Sequence, residues 1–283
     1  MQQHILPDHS HIGRVDLQVG NLAASLDFYT RILGFREHAR DGQVVTLTAQ
    51  GSDSALVVLH ERPGAPHVPV RGRLGLFHIA IQLPDRPSHA RFIAHLTALH
   101  VEVGAGDHLV SEAFYLQDPD GLGIEVYADR PRNQWTRTAN GVEMATLPVN
   151  IADLLPAAGN VPWSGMPAGT VIGHMHLHVG DLAAARQFYG AEIGFSEMAA
   201  LPGASFLAAG GYHHHLGVNT WARGAESAHD DEAHLLEWTL CVPSDGFDAV
   251  RDRLNAAGRA LDEAGASFLV RDPWGTAVRV RAE

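Results

Sequence analysis

Residues 12–35, IGRVDLQVGNLAASLDFYTRILGF, return without a gap as residues 172–195, IGHMHLHVGDLAAARQFYGAEIGF, 160 positions later. Ile-Gly, Val-Gly, Leu-Ala-Ala, Phe-Tyr and Gly-Phe coincide, so the chain is an internal duplication, and a fold assigned to one half must serve the other. Each copy reads as a strand with alternating apolar residues, Val15/Leu17/Val19 or Met175/Leu177/Val179. Asn21 or Asp181 then caps an amphipathic helix through Phe28-Tyr29 or Phe188-Tyr189. A weaker half-repeat lies inside each copy: residues 78–84, HIAIQLP, match 237–243, EWTLCVP. Both are followed by a helix, Ser88 to Leu99 or Gly246 to Ala257, and by an Asp-Pro-x-Gly turn at 118–121 or 272–275. The chain therefore reads as an α+β protein of four βαβββ modules, two per domain. The expected domains are residues 1–128 and 171–283. Between them, residues 129–170 are rich in Pro, Gly and Ala and read as a long linker with a short helix near Ile151 to Leu155.

Composition bounds the function. The 283 residues are 46% hydrophobic and 18% charged, enough for one or two real cores. A formal charge of -12 and the lack of a basic stripe argue against a nucleic acid or anionic membrane partner. With no apolar run of transmembrane length and no leader pattern at the N-terminus, the expected location is cytoplasmic. The single cysteine, Cys241, cannot form an internal disulfide and fits a reducing compartment. The unusual number is 19 histidines, more imidazole than core packing requires.

The stretch GDHLVSEAFYLQDPDGLGIE, residues 106–125, concentrates the chemistry. His108, Tyr115 and Glu125 flank a hairpin turn at Asp118-Pro119-Asp120-Gly121, whose two aspartates read as turn-formers. Glu125 sits within Ile124-Glu125-Val126-Tyr127, a run of strong strand preference, where a carboxylate either faces solvent or coordinates something.

Paired βαβββ modules opening on IGHMHLHVGDLAAARQFY resemble the vicinal oxygen chelate superfamily, which includes glyoxalase I, antibiotic resistance proteins and the type I extradiol dioxygenases. That opening is shared across the superfamily. Residues 106–125 are more specific and resemble the signature of the extradiol, catechol 2,3-dioxygenase-like members throughout. The resemblance implies vicinal oxygen chelate domains with cupped mixed sheets. It also implies an Fe(II) centre, Mn(II) being the alternative, held by two imidazoles and a carboxylate. By position the ligands are His78 and Glu125 from module two and His174 from module three. Arg14, Glu237 and Arg279 fall at the corresponding places of modules one and four, which cannot assemble such a triad. Modules two and three are therefore expected to pair across the domain boundary into one intact site, with modules one and four forming a degenerate one in which Arg14 pairs with Glu237 or another acid.

The resemblance assigns further roles. His108 corresponds to the substrate-side histidine and Tyr115 to the tyrosine that bonds the ionised catechol oxygen. Tyr212-His213-His214-His215 is placed on the last strand of module three, where the acid/base histidine belongs. His214 matches best, although strand register leaves His213 and His215 in play. His60, His67, His89, His95, His100, His229 and His234 read as loop or helix-face residues. The implied partners are a small aromatic diol and O2, and homo-oligomerisation is left open. Two other functions share the fold: a glyoxalase-type isomerase or lyase, which would want a fourth protein ligand from the last strand of module three, and a non-catalytic binder of aromatic antibiotics.

Overall fold

The computed structural model describes residues 6–139 and 141–283. Module one comprises β1 (His11–Val19), α1 (Leu22–Asp27), β2 (Arg36–Asp41), β3 (Val44–Thr48) and β4 (Ala55–Glu61). Module two comprises β5 (Gly75–Gln82), α2 (Arg86–Ala98), β6 (Gly104–Asp107), β7 (Ser111–Gln117) and β8 (Gly123–Asp129). The crossover carries a two-residue ribbon, β9 (Arg137–Thr138) and β10 (Gly141–Val142), and the short helix α3 (Ile151–Leu154). Module three is β11 (Val171–His178), α4 (Leu182–Ala185), β12 (Ser196–Leu201), β13 (Ala204–Ala208) and β14 (Leu216–Asn219). Module four is β15 (His234–Val242), α5 (Ser244–Ala256), β16 (Asp262–Ala264), β17 (Ser267–Arg271) and β18 (Ala277–Ala282).

The helix caps form as the sequence predicts. Asn21 Oδ1 accepts from the Ala24 N–H at 3.0 Å and Asp181 Oδ1 from the Ala184 N–H at 2.8 Å. Both capped helices then widen into a π-helical turn, at Phe28–Ile32 and Arg186–Ile193. These turns bury Tyr29 and Tyr189, which donate to the turn aspartates of the following module: Tyr29 Oη to Asp118 Oδ2 at 3.3 Å and Tyr189 Oη to Asp272 Oδ2 at 2.8 Å. Asp118 Oδ1 in turn accepts from the backbone of Asp120 and Leu122, so the repeated Asp-Pro-x-Gly turns also anchor module to module.

Two eight-stranded sheets result, and neither follows the sequence halves. One is ordered β16-β17-β18-β15-β1-β4-β3-β2, joining modules four and one, and the other β12-β13-β14-β11-β5-β8-β7-β6, joining modules three and two. The seams are the antiparallel pairs β1/β15 and β5/β11. A continuous apolar cluster, including Tyr29, Phe92, Phe188, Trp238 and Phe268, is buried beneath the helices of both sheets. No described helix is long and apolar enough to cross a membrane.

Candidate metal centre

Strand register brings His78, Glu125 and His174 together. On β5, Ala80 pairs with Glu125 of β8 on one side and with His174 of β11 on the other. His78 lies two residues before Ala80 and therefore points to the same face of the sheet. The fully buried Ala80 keeps the space between the three side chains small-walled. Gly173, at the register shift between Ile172 and His174, admits the Tyr127 ring, because a Cβ there would stand 1.9 Å from Tyr127 Oη.

The geometry fits a metal better than an ion pair. Glu125 Oε2 lies 3.0 Å from His78 Nε2 and 3.3 Å from His174 Nε2, and all three side chains are buried. His78 Nε2 nevertheless lacks a hydrogen-bond partner, since the ring is not aligned to donate to that oxygen. A buried imidazole nitrogen 3.0 Å from a carboxylate and without a hydrogen bond is free to give its lone pair to a cation. The protonation states agree. Burial pushes the Glu125 carboxyl up, but the His174 and His78 imidazoles outweigh it and hold Glu125 well below the ordinary range. Burial also takes His174 down to about 4, so the set is a carboxylate with a neutral His174 imidazole, as ligation requires.

The triad opens onto a cavity of about 290 Å³. Phe77, Phe206, Leu201, Met144 and Trp221 supply apolar walls, and neither Lys nor Arg lines it. The crossover is therefore part of the site: Met144, Ala145 and Thr146 close one side. His108 Nδ1 donates to the Ala145 carbonyl at 2.8 Å, which makes Nε2 the acceptor for the Tyr115 hydroxyl at 2.6 Å. The turn presenting His108 places Leu109 at a left-handed φ of 68°, a conformation uncommon for leucine. It is pinned by two 2.8 Å bonds from Arg130 to Asp107.

His214 also lines the cavity, its ring 4.0 Å from that of His174. It does not sit on a strand. β14 begins at Leu216, and residues 212–215 form an irregular approach to it, so the alternation expected from a strand does not apply. Each residue finds its own partner. Tyr212 Oη bonds Tyr127 Oη at 2.8 Å, His213 turns behind His214, and His215 Nδ1 accepts from the Ala209 N–H at 3.1 Å.

A second carboxylate ligand is missing from module three for a structural reason. In module two, the residue two after His78 pairs with Glu125; in module three, the residue two after His174 is His176, which pairs with Gly217. The counterpart of Glu125 in module three is therefore Gly217, not a residue of the Tyr212–His215 run. The space beside it is filled by the His176 ring, whose atoms lie 2.9–3.1 Å from where a Cβ would stand.

The other sheet carries side chains of the opposite logic. Arg279 donates to both oxygens of Glu237 at 2.6 and 2.7 Å. Arg14 pairs with the buried Asp16 at 2.9 Å rather than with Glu237, and His60, which lies on β4 and not in a loop, bonds the other Asp16 oxygen at 2.9 Å. Guanidinium charges thus stand at the positions that His174 and Glu125 occupy in the other sheet. A further grouping, His11, Cys241 and Glu283, brings ligand-type atoms within 4.8 Å of one another, but Arg281 already contacts both Cys241 Sγ and Glu283.

Residues 11–126 match the model of the glyoxalase/bleomycin resistance protein/dioxygenase superfamily. A catechol-2,3-dioxygenase of Bacillus subtilis is 42% identical over 271 residues, covering 94% of this chain and 95% of the relative. Solved structures share the fold at low identity. A Bacillus subtilis protein provisionally described as a dioxygenase aligns with TM-score 0.66 and 12% identity over 96% of this chain and 84% of its own. Glyoxalase I from Zea mays aligns with TM-score 0.53 and 14% identity over 96% and 92%. The chain belongs to the glyoxalase/bleomycin resistance protein/dioxygenase superfamily, as an enzyme of its extradiol, catechol 2,3-dioxygenase-like group.

Proposed function

We propose that this enzyme is an Fe(II)-dependent extradiol dioxygenase that opens the ring of catechol-type diols with O2 to give semialdehydes. The observation that carries this reading is the three-ligand set, His78, His174 and Glu125, beside a cavity where Gly217 removes the fourth ligand. Two imidazoles and one carboxylate leave several coordination positions open, the requirement for taking a bidentate diol and O2 together. A bound Fe(II) would supply that joint coordination and the electronic path between diol and dioxygen, and Mn(II) suits the same donors.

The chain's own groups hold and move protons around that chemistry. Tyr115, whose hydroxyl donates to His108, stands beside Glu125 in the cavity wall, where it can turn its proton toward an ionised diol oxygen. His214 also lines the cavity and takes the second hydroxyl proton, returning it to an oxygen once the ring opens. Phe77, Phe206 and Trp221 hold the aromatic ring and exclude water. The four-ligand arrangement wanted by a glyoxalase-type isomerase has no support at Gly217.

The test uses protein purified anaerobically and reconstituted with Fe(II), to which catechol, 3-methylcatechol or 4-methylcatechol is added. Stoichiometric O2 uptake with appearance of a yellow ring-opened product, lost in His174→Ala and Glu125→Ala, is the expected result. No uptake with any catechol at full iron loading would overturn the reading.

A further inference from the structure

Behind His214 a chain of buried polar groups leads away from the cavity. His214 Nδ1 lies 2.8 Å from His213 Nδ1, and His213 Nε2 lies 2.8 Å from Asp129 Oδ1. His213 is fully buried and His214 is 6% exposed. Asp129 ends β8, four residues beyond Glu125 on the same strand face, and its second oxygen accepts from Gln82 Nε2 at 2.8 Å. No role attaches to Asp129 or His213 in the ligand set or the cavity wall.

The donors and acceptors can be arranged in one way when both rings are neutral. A carboxylate only accepts, so His213 Nε2 carries the hydrogen and His213 Nδ1 is left as an acceptor. The facing His214 Nδ1 must then donate. That leaves the lone pair of His214 on Nε2, in a ring that lines the cavity. The opposite tautomer would set two lone pairs against each other at 2.8 Å in a buried space, an unsatisfied contact costing about 1–3 kcal/mol.

We propose that Asp129 and His213 are positioning residues that fix His214 as its Nδ1–H tautomer and so present a basic Nε2 to the substrate. The inference rests on the ring-cleavage reading for its consequence, but the tautomer itself is a property of the protein alone. The carboxylate sits two bonds removed from the working nitrogen, as an orienting group rather than a proton acceptor from substrate. It also ties the acid/base histidine of module three to the strand of module two that carries Glu125.

The experiment reads the tautomer directly. Histidine ring ¹⁵N shifts are recorded on metal-free protein near neutral pH, with the His214 signals identified by their loss in His214→Gln. The wild type should show His214 as Nδ1–H. Asp129→Asn, which can donate toward His213, and Asp129→Ala should move it toward Nε2–H or a mixture. In the iron-loaded enzyme Asp129→Asn should lower kcat roughly 10–100-fold, within the contribution of a positioned acid–base group, with little change in KM. A wild-type His214 already in the Nε2–H form, or a tautomer unmoved in both variants, would overturn the proposal. The wild-type spectrum alone decides the assignment if a variant fails to fold. Absence of catechol turnover by the wild type would defeat the ring-cleavage reading while leaving the tautomer measurement to judge the relay.

Discussion

Metal binding at three ligands drawn from both halves of the chain should appear as thermal stability. A ligand that binds only the folded state contributes RT ln(1 + [L]/Kd), about 2.7 kcal/mol at a hundredfold excess over Kd. An unfolding entropy of about 2.1 cal/mol/K per residue near 60 °C gives roughly 0.6 kcal/mol/K for a chain of this length. The melting temperature should therefore rise by about 4–5 °C at that excess of metal. Mn(II), which is stable in air, serves as the probe, and calorimetry of chelator-treated protein titrated with Mn(II) is the assay. Glu125→Ala removes the only carboxylate from the set and should abolish most of the shift, as should His174→Ala, although the two residues come from modules in different halves. A wild-type shift that persists unchanged in both variants would refute the reasoning and move attention to His11, Cys241 and Glu283.

Burial pushes His89 down to about 4 and His215 to about 3, so both fold neutral. Their unfolded forms bind more protons below about 6.5, so stability is full above that pH and falls as acid is added; each histidine should cost about 2 kcal/mol by pH 5, read by urea unfolding at pH 7.5 and 5, and a flat profile would contradict this. None of the described residues that line the cavity is an Arg. Catechols with neutral alkyl substituents should be turned over with kcat/KM roughly 100-fold above carboxylated catechols, the cost of an unpaired charge in an apolar pocket, and equal rates would count against it.

Much of this was legible in the sequence because it was periodic. The 160-residue repeat, the Asn21 and Asp181 caps and the Asp-Pro-x-Gly turns are local signals, and each forms where expected. His78, His174 and Glu125 could be selected by their place in the repeat, and the structure brings them together through the β5/β11 seam. Other features depend on register or on distant partners. The Tyr212–His215 run looked like strand because alternation and an irregular buried segment are alike in composition, and only the partners of each ring separate them. Gly217 as the vacant ligand position emerges from counting across the β11/β14 pair. Asp129 lies at the expected edge of a linker, where an aspartate is ordinarily a solvated turn residue, and nothing local announces that His213 lies 84 positions later and 2.8 Å away. Met144–Thr146 carry no motif and become a cavity wall only because the crossover folds back over the cup.

One metal shared between modules two and three would be visible crystallographically. Anomalous diffraction from crystals grown with Mn(II) or anaerobically with Fe(II) tests it most directly. A single strong peak is expected, bounded by His78 Nε2, His174 Nε2 and a Glu125 carboxylate oxygen, with no peak between Glu237 and Arg279. A strong peak at His11, Cys241 and Glu283, or none at the triad under saturating metal, would contradict it.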